Sequence, residues 1–149
     1  MVVLDTNVLS EVMKEKPDPA VVDWLSSVPV ETMLTTAISQ AEILYGVRRL
    51  PEGARRTRLI TAAHDLFTRT FAGRILPFDD EAASMLADIR ISRESAGRPI
   101  SQEDAMIAAI AMRNGVCVAT RDKRGFAGCG ITIVDPWARD EGEGGQLPL

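Results

Sequence analysis

Apolar residues in this chain fall into short unbroken runs and longer stretches at helical spacing. Val2-Val3-Leu4 is the first short run, and its lack of alternation fits a strand buried on both faces, as in the middle of a parallel sheet. Thr32 to Thr36, Ile75 to Phe78, Val116 to Thr120 and Ile131 to Val134 read as further strands. Helical patterns lie between them. Val8 to Lys14 is the first, and Asp18-Pro19 opens a second that runs to about Ser27, with Asp as N-cap and Pro at the first helical position. Ser39 starts a third, to about Leu50. Glu52 to Phe71 spaces Leu59, Ala62, Ala63, Leu66 and Phe67 as one amphipathic helix. Asp79 caps a helix extending to about Ser95. After the Gly97-Arg98-Pro99 break another runs from Ser101 to Asn114, and Gly115 ends it as a C-cap.

Strands of continuous apolar character separated by helices belong to the α/β class. The expected fold is a three-layer α/β/α sandwich with a central parallel sheet of about five strands. Residues 1–138 are expected to form one domain, and residues 139–149, acidic and rich in glycine, a flexible tail. At 149 residues the chain can bury a core without disulfides or structural metal. Cys117 and Cys129 make no disulfide framework, and neither a signal-type segment nor a bilayer-length apolar stretch is present, so the expected location is cytoplasmic, with no membrane contact.

Charge adds a second layer. The net charge of −4 argues against a generally cationic nucleic-acid binder. It hides a run from Arg48 to Arg74 with seven arginines against two acids, Glu52 and Asp65. Such a run reads either as the solvated side of a helix or as a phosphate-contacting face, with Arg48, Arg49 and Arg55 as backbone contacts.

The acids carry the chemistry. Asp5 ends the first strand, where open α/β sheets place their ligands, although Asp is also a good N-cap for the next helix. Glu42 and Asp104 each stand three residues after a serine at an expected helix start, Ser39 and Ser101, which is the capping-box spacing. Direction along the sheet gives these acids another meaning. A helix that follows a strand begins at the strand's carboxyl edge, which places Glu42. A helix that runs back before a parallel strand begins at the same edge, which places Asp104. Asp5 and Asp122 come just after their own strands. Four carboxylates therefore collect on one rim of the sheet.

Ionised carboxylates crowded there repel by roughly 4 kcal/mol per pair at ~4 Å and an effective dielectric of about 20. Helix N-termini relieve only about 0.3–1 kcal/mol each. Either some of the acids are protonated or a cation sits among them, and hard oxygen donors suit Mg²⁺ or Mn²⁺. His64 is the only histidine, so a His-rich zinc site is excluded and a Ser-His-Asp triad disfavoured; no glycine-rich phosphate loop is present. A hydrolase with this inventory would use water activated by metal held on carboxylates, and an acidic pocket bordered by arginines suits a phosphodiester.

The stretches Leu4-Asp5-Thr6-Asn7-Val8-Leu9-Ser10, Ala37-Ile38-Ser39-Gln40-Ala41-Glu42, Ala72 to Asp79, Asp104 to Ala109, Ala119-Thr120-Arg121-Asp122 and Asp135-Pro136-Trp137 together resemble the PIN-domain ribonucleases, specifically the VapC-type toxins and their FitB-like relatives. The resemblance covers residues 1 to 138 and places Asp5, Glu42, Asp104 and Asp122 on the family's four acidic positions. It implies that Asp5, Asp104 and Asp122 bind Mg²⁺ or Mn²⁺, that Glu42 orients the attacking water or a second metal, and that Thr6, Asn7 and Thr120 support the acids by hydrogen bonds. It also implies an RNA substrate, such as tRNA, a homodimer, and a small DNA-binding antitoxin that inserts a basic side chain into the acidic site. Glu103 is less typical of the family and reads as a helix-start acid facing solvent.

The expected activity is that of a metal-dependent endoribonuclease serving as the toxin of a toxin–antitoxin pair. Two other readings compete with it. One is a module of the same fold that binds RNA or a partner with weak catalysis. The other is a phosphotransferase with Asp5 as nucleophile, disfavoured because the usual second Asp two residues on is Asn7.

Overall fold

Val2, Val3 and Leu4 form β1 (Val2–Leu4), and all three are buried. In the computed structural model, which describes residues 1–138, β1 pairs in parallel with β2 (Met33–Thr36) on one side and β4 (Cys117–Ala119) on the other. Beyond β2 lies β3 (Ile75–Leu76), and beyond β4 lies β5 (Ile133–Val134), so the sheet has five parallel strands in the order β3-β2-β1-β4-β5. Alternate residues of β1 serve opposite cores. Val2 and Leu4 pack with Val8, Leu9, Val21, Ile43, Val47 and Phe67; Val3 packs with Ala82, Ile89, Ile107, Ile110 and Val118. This two-sided burial explains the absence of alternation in the sequence.

The first core is covered by α1 (Thr6–Val12), α2 (Pro19–Ser27), α3 (Ala37–Arg48) and α4 (Ala54–Asp65). The second is covered by α5 (Asp80–Ser95), α6 (Gln102–Asn114) and the short α7 (Lys123–Phe126). The expected α/β/α sandwich with five strands is the observed architecture. In α6, Ala105 and Ile107 through Ala111 are all fully buried, and Gly115 closes the helix at φ 63°, a left-handed cap that glycine adopts without strain.

β3, β4 and β5 are shorter than the sequence expectation by two residues each and α1 ends at Val12 rather than Lys14; three further boundary differences have a local reason. α1 begins at Thr6 rather than Val8, because the Asp5 carboxylate itself accepts the Thr6 N–H at 2.7 Å. α3 begins at Ala37 rather than Ser39, because the Thr36 hydroxyl caps it, accepting the Ser39 N–H at 3.0 Å. The long helix from Glu52 to Phe71 is α4 followed by one wide turn, Leu66–Thr70, closed by the Phe71 N–H on the Leu66 carbonyl at 2.8 Å. The tail expected at residues 139–149 lies outside the described residues.

The topology creates a switch point at β1. The chain steps from β1 to β2 and β3 on one side, then returns through α5 and α6 to β4 on the other. Connections thus leave β1 and β4 in opposite directions, and a crevice opens between their carboxyl ends. Asp5 follows β1, and Thr120 to Asp122 follow β4, so both segments end at this crevice.

Candidate active site

The Asp5 carboxylate is the centre of a buried hydrogen-bond network, and only 4% of the residue is exposed. One carboxylate oxygen caps α1 through the Thr6 N–H. The other accepts the Thr120 hydroxyl at 2.7 Å and the Asn7 side-chain amide at 3.2 Å. The Thr120 oxygen in turn accepts the Asn7 amide and the Asp122 backbone N–H, each at 3.0 Å. Asp5 is therefore both the helix cap and a member of the acidic rim; one oxygen does each job. Its main-chain N–H completes the sheet register by donating to the Ala119 carbonyl at 3.0 Å.

Glu42 sits in the second turn of α3, and the capping-box explanation for it fails because Thr36, not Ser39, is the cap. Its carboxylate instead accepts the Thr6 hydroxyl through a short hydrogen bond. Asp104 stands in the first turn of α6, where the Ser101 hydroxyl caps the helix by accepting the Asp104 N–H at 3.1 Å. Here the serine half of the box is real. Asp122 caps α7 by accepting the Gly125 N–H at 2.9 Å. Gly125 has little room for a side chain, since a Cβ there would lie 2.3 Å from the Asp122 carboxylate.

The structure brings all four predicted acids, with Thr6 and Asn7, into the lining of one cleft of about 470 Å³. Thr120, fully buried, lies behind it as the hydroxyl that joins Asp5 to Asp122. Burial is the first cause that raises the Asp5 pKa to about 6; the Thr120 and Thr6 hydrogen bonds oppose it, and the charges of Asp104 and Glu42 add to it. Burial likewise raises Glu42, opposed by the Thr6 hydroxyl and helped by Asp104 and Glu103. Asp104 is raised by burial, with the Ser101 hydroxyl and the Arg93 charge pulling the other way and Asp122 and Glu103 adding to the rise. Glu103 faces solvent as expected, yet its field reaches both neighbours.

Sequence reasoning overlooked part of the lining. Ser10, Glu11, Lys14, Arg121 and Trp137 also border the cleft. The signal for the first three was the polar stripe Asn7, Ser10, Glu11, Lys14 along one side of α1; for Arg121 it was its place between Thr120 and Asp122. Glu11 is buried, accepts the Lys14 ammonium at 2.6 Å and the Asp18 N–H at 2.8 Å, and the Lys14 bond holds its pKa below the ordinary value. Of the predicted arginines, Arg55 lines a second depression of about 760 Å³, beside Arg58 and over an apolar floor that includes Ile43, Val47 and Leu59. That depression shares Thr6, Ser10, Lys14 and Glu42 with the acidic cleft. Arg48 and Arg49 border neither; they are exposed at the end of α3, with Arg49 over the Tyr45 ring. His64 is exposed on α4 beside Asp65, away from the cleft.

The donor set suits a hard divalent cation, because every acidic group at the cleft is a carboxylate and three of them are destabilised as anions by burial and by one another. Among the described residues no group of three or more His, Cys, Asp or Glu side chains stands close enough to enclose a metal. That arrangement is compatible with Mg²⁺, which keeps several waters and is bound through one or two carboxylates together with substrate phosphate.

Residues 2–129 match the PIN domain, and this chain belongs to that family. It is 40% identical over 137 residues to a VapC ribonuclease of Sinorhizobium fredii, covering 92% of this chain and 98% of that one. It is 38% identical to the toxin FitB of Neisseria gonorrhoeae, covering 92% and 99%. Among solved structures, FitAB bound to a DNA fragment superimposes with a TM-score of 0.89 at 36% identity, covering 96% of this chain and all of the matched one. No helix among the described residues is long and apolar enough to cross a membrane.

Proposed function

We propose that this chain is a metal-dependent endoribonuclease, the toxin of a toxin–antitoxin pair acting in the cytoplasm. The observation that carries this reading is the convergence of Asp5, Glu42, Asp104 and Asp122 on one cleft at the sheet's switch point, in a PIN-domain chain similar to a ribonuclease and a toxin. Of Asp5, Asp104 and Asp122, one or two would hold Mg²⁺ or Mn²⁺ directly, and the remainder would meet it through its waters. Bound there, the cation supplies a lowered pKa for water and a counter-charge for the phosphate.

The protein's own groups do the rest. Glu42, its pKa raised by burial and its carboxylate held by the Thr6 hydroxyl, would orient the attacking water and take its proton. The water oxygen bonds to phosphorus, the bond to the leaving ribose oxygen breaks, and that oxygen is protonated from solvent. Asn7 and Thr120 hold the Asp5 carboxylate in place throughout. Arg55, which borders the adjoining depression, would meet a flanking RNA phosphate. Solved structures similar to this chain include FitAB and VapBC complexes bound to DNA; a co-encoded antitoxin would likewise pair with this chain and, as the family resemblance implies, silence the cleft with a basic side chain, the toxin being a homodimer.

One observation favours a second reading, a catalytically weak RNA- or partner-binding module: the described residues hold no ready-made three-ligand cage. Cleavage of total RNA, including tRNA, by the purified chain decides between them when run with and without Mg²⁺ or Mn²⁺. Discrete, metal-dependent products that vanish in Asp5→Asn and Asp104→Asn are expected. No cleavage by a folded sample that binds Mn²⁺ in isothermal titration would favour the binding module.

A further inference from the structure

We propose that Arg121, laid over the Trp137 indole at the mouth of the acidic cleft, grips the RNA backbone phosphate adjoining the one that is cleaved. This rests on the reading of the cleft as a ribonuclease site and names a residue that positions its substrate.

The argument begins with charge. Five carboxylates line the cleft, Glu11 being the fifth, against two cations, Lys14 and Arg121. A polyanion entering such a surface meets repulsion at every phosphate that the catalytic cation does not face, so it needs fixed positive charge beside the acids. Lys14 is already committed, its ammonium 2.6 Å from the Glu11 carboxylate. Arg121 makes no ion pair among the described residues, although it is exposed and borders the same cleft.

Instead its guanidinium lies 5.3 Å from the centre of the Trp137 ring. An aromatic face holds a guanidinium by its flat side and leaves the N–H edge free, and that edge matches two phosphate oxygens. The platform is itself fixed. The Trp137 backbone N–H donates to the Asp135 carboxylate at 3.0 Å, whose other oxygen meets the Lys123 ammonium at 3.1 Å, and the indole packs against the core under α1 to α4. At its other end Arg121 is registered to the catalytic acids: its backbone N–H donates to the Asn7 side-chain oxygen at 3.3 Å, and the amide of that same Asn7 donates to Asp5. Asn7 thus ties the grip to the carboxylate that would face the scissile phosphate. A cation with no ion pair among the described residues, held 5.3 Å from the ring centre at a fixed offset from the acids, is suited to a neighbouring phosphate.

The test uses the full chain and a fluorescein-labelled 20-nucleotide single-stranded RNA containing a cleavage site mapped from total RNA. Arg121→Ala is expected to raise KM about tenfold, the size of one lost charge-assisted hydrogen bond, with kcat within about twofold of wild type. The slope of log KM against log salt concentration should fall by about 0.7, one single-strand phosphate contact. Arg121→Lys should restore the slope but only part of KM, and Trp137→Leu should raise KM with Arg121 intact. Arg69→Ala, an exposed arginine paired with Asp65 outside both depressions, is the charge control. If Arg121→Ala behaves like Arg69→Ala while wild type cleaves, the phosphate grip is overturned and the nuclease stands. If Arg121→Ala leaves RNA kinetics unchanged and weakens only antitoxin binding, the residue is a protein contact and the grip is likewise overturned. A wild type that neither cleaves total RNA nor binds a fluorescein-labelled single-stranded RNA by anisotropy overturns both readings together.

Discussion

Replacing Asp5 by Asn in metal-free protein removes the most perturbed of the carboxylates and isolates what its burial costs. The folded pKa of about 6 lies above the ordinary 3.8, so between those values the folded state holds more protons than the unfolded one. The carboxyl group's contribution is therefore fully present below pH 3.8 and is lost as pH rises through 6. With 1.36 kcal/mol per unit, the total loss is about 3 kcal/mol, of which about 2 kcal/mol falls between pH 4.5 and 7.5. No discount for solvent applies, because Asp5 is 4% exposed. Asn cannot titrate, but its amide would face the Thr120 hydroxyl and the Asn7 amide, a pH-independent penalty of about 1–3 kcal/mol.

The slope with pH is thus the diagnostic quantity, not stability at one pH. Urea unfolding of both proteins in EDTA at pH 4.5 and 7.5 should show wild type losing about 2 kcal/mol more than Asp5→Asn. In thermal scans the same difference is roughly 4–8 °C. Equal slopes would refute the claim that burial of Asp5 stores this free energy. Adding Mg²⁺ at pH 7.5 should stabilise wild type more than the variant, because the variant lacks one of the three carboxylates assigned to the cation.

Three further outcomes follow from the same geometry. Thr120→Val should destabilise the fold by about 1–3 kcal/mol, since the Asp122 N–H and the Asn7 amide lose a buried acceptor; it should also raise the Asp5 pKa further, read by NMR titration of the carboxyl carbon. Ile107→Ala, at a fully buried position of α6, should cost about 2–5 kcal/mol in urea unfolding. Arg93→Met should be destabilising in urea unfolding at about 1–3 kcal/mol for each orphaned carbonyl, because the buried guanidinium holds the carbonyl of Arg98, between α5 and α6, and those of Gly125 and Ala127 at α7; removing that charge should raise the Asp104 pKa as well.

The amino-acid order alone determined the architecture and the four acids. Unbroken apolar triplets specify strands buried on two faces, helical spacing specifies the covering layers, and acids at strand ends or helix starts must share one edge of a parallel sheet. Those are local or topological properties, so they are readable without coordinates. Tertiary structure decided the rest, because it depends on which side chains meet across long separations. Thr36 rather than Ser39 caps α3, since the backbone turns one residue past β2, and this frees Glu42 to meet Thr6, 36 positions away in the chain. Thr120 supports Asp5 across 115 positions. The arginine run shows the same limit: its density is a sequence fact, yet Arg55 borders a depression next to the acids while Arg48 and Arg49 point to solvent. Arg121 was hidden between two motif residues until the fold laid it over Trp137. Periodicity encodes what each residue does to its own segment; the chemistry of the cleft comes from segments that only packing of the sheet brings together.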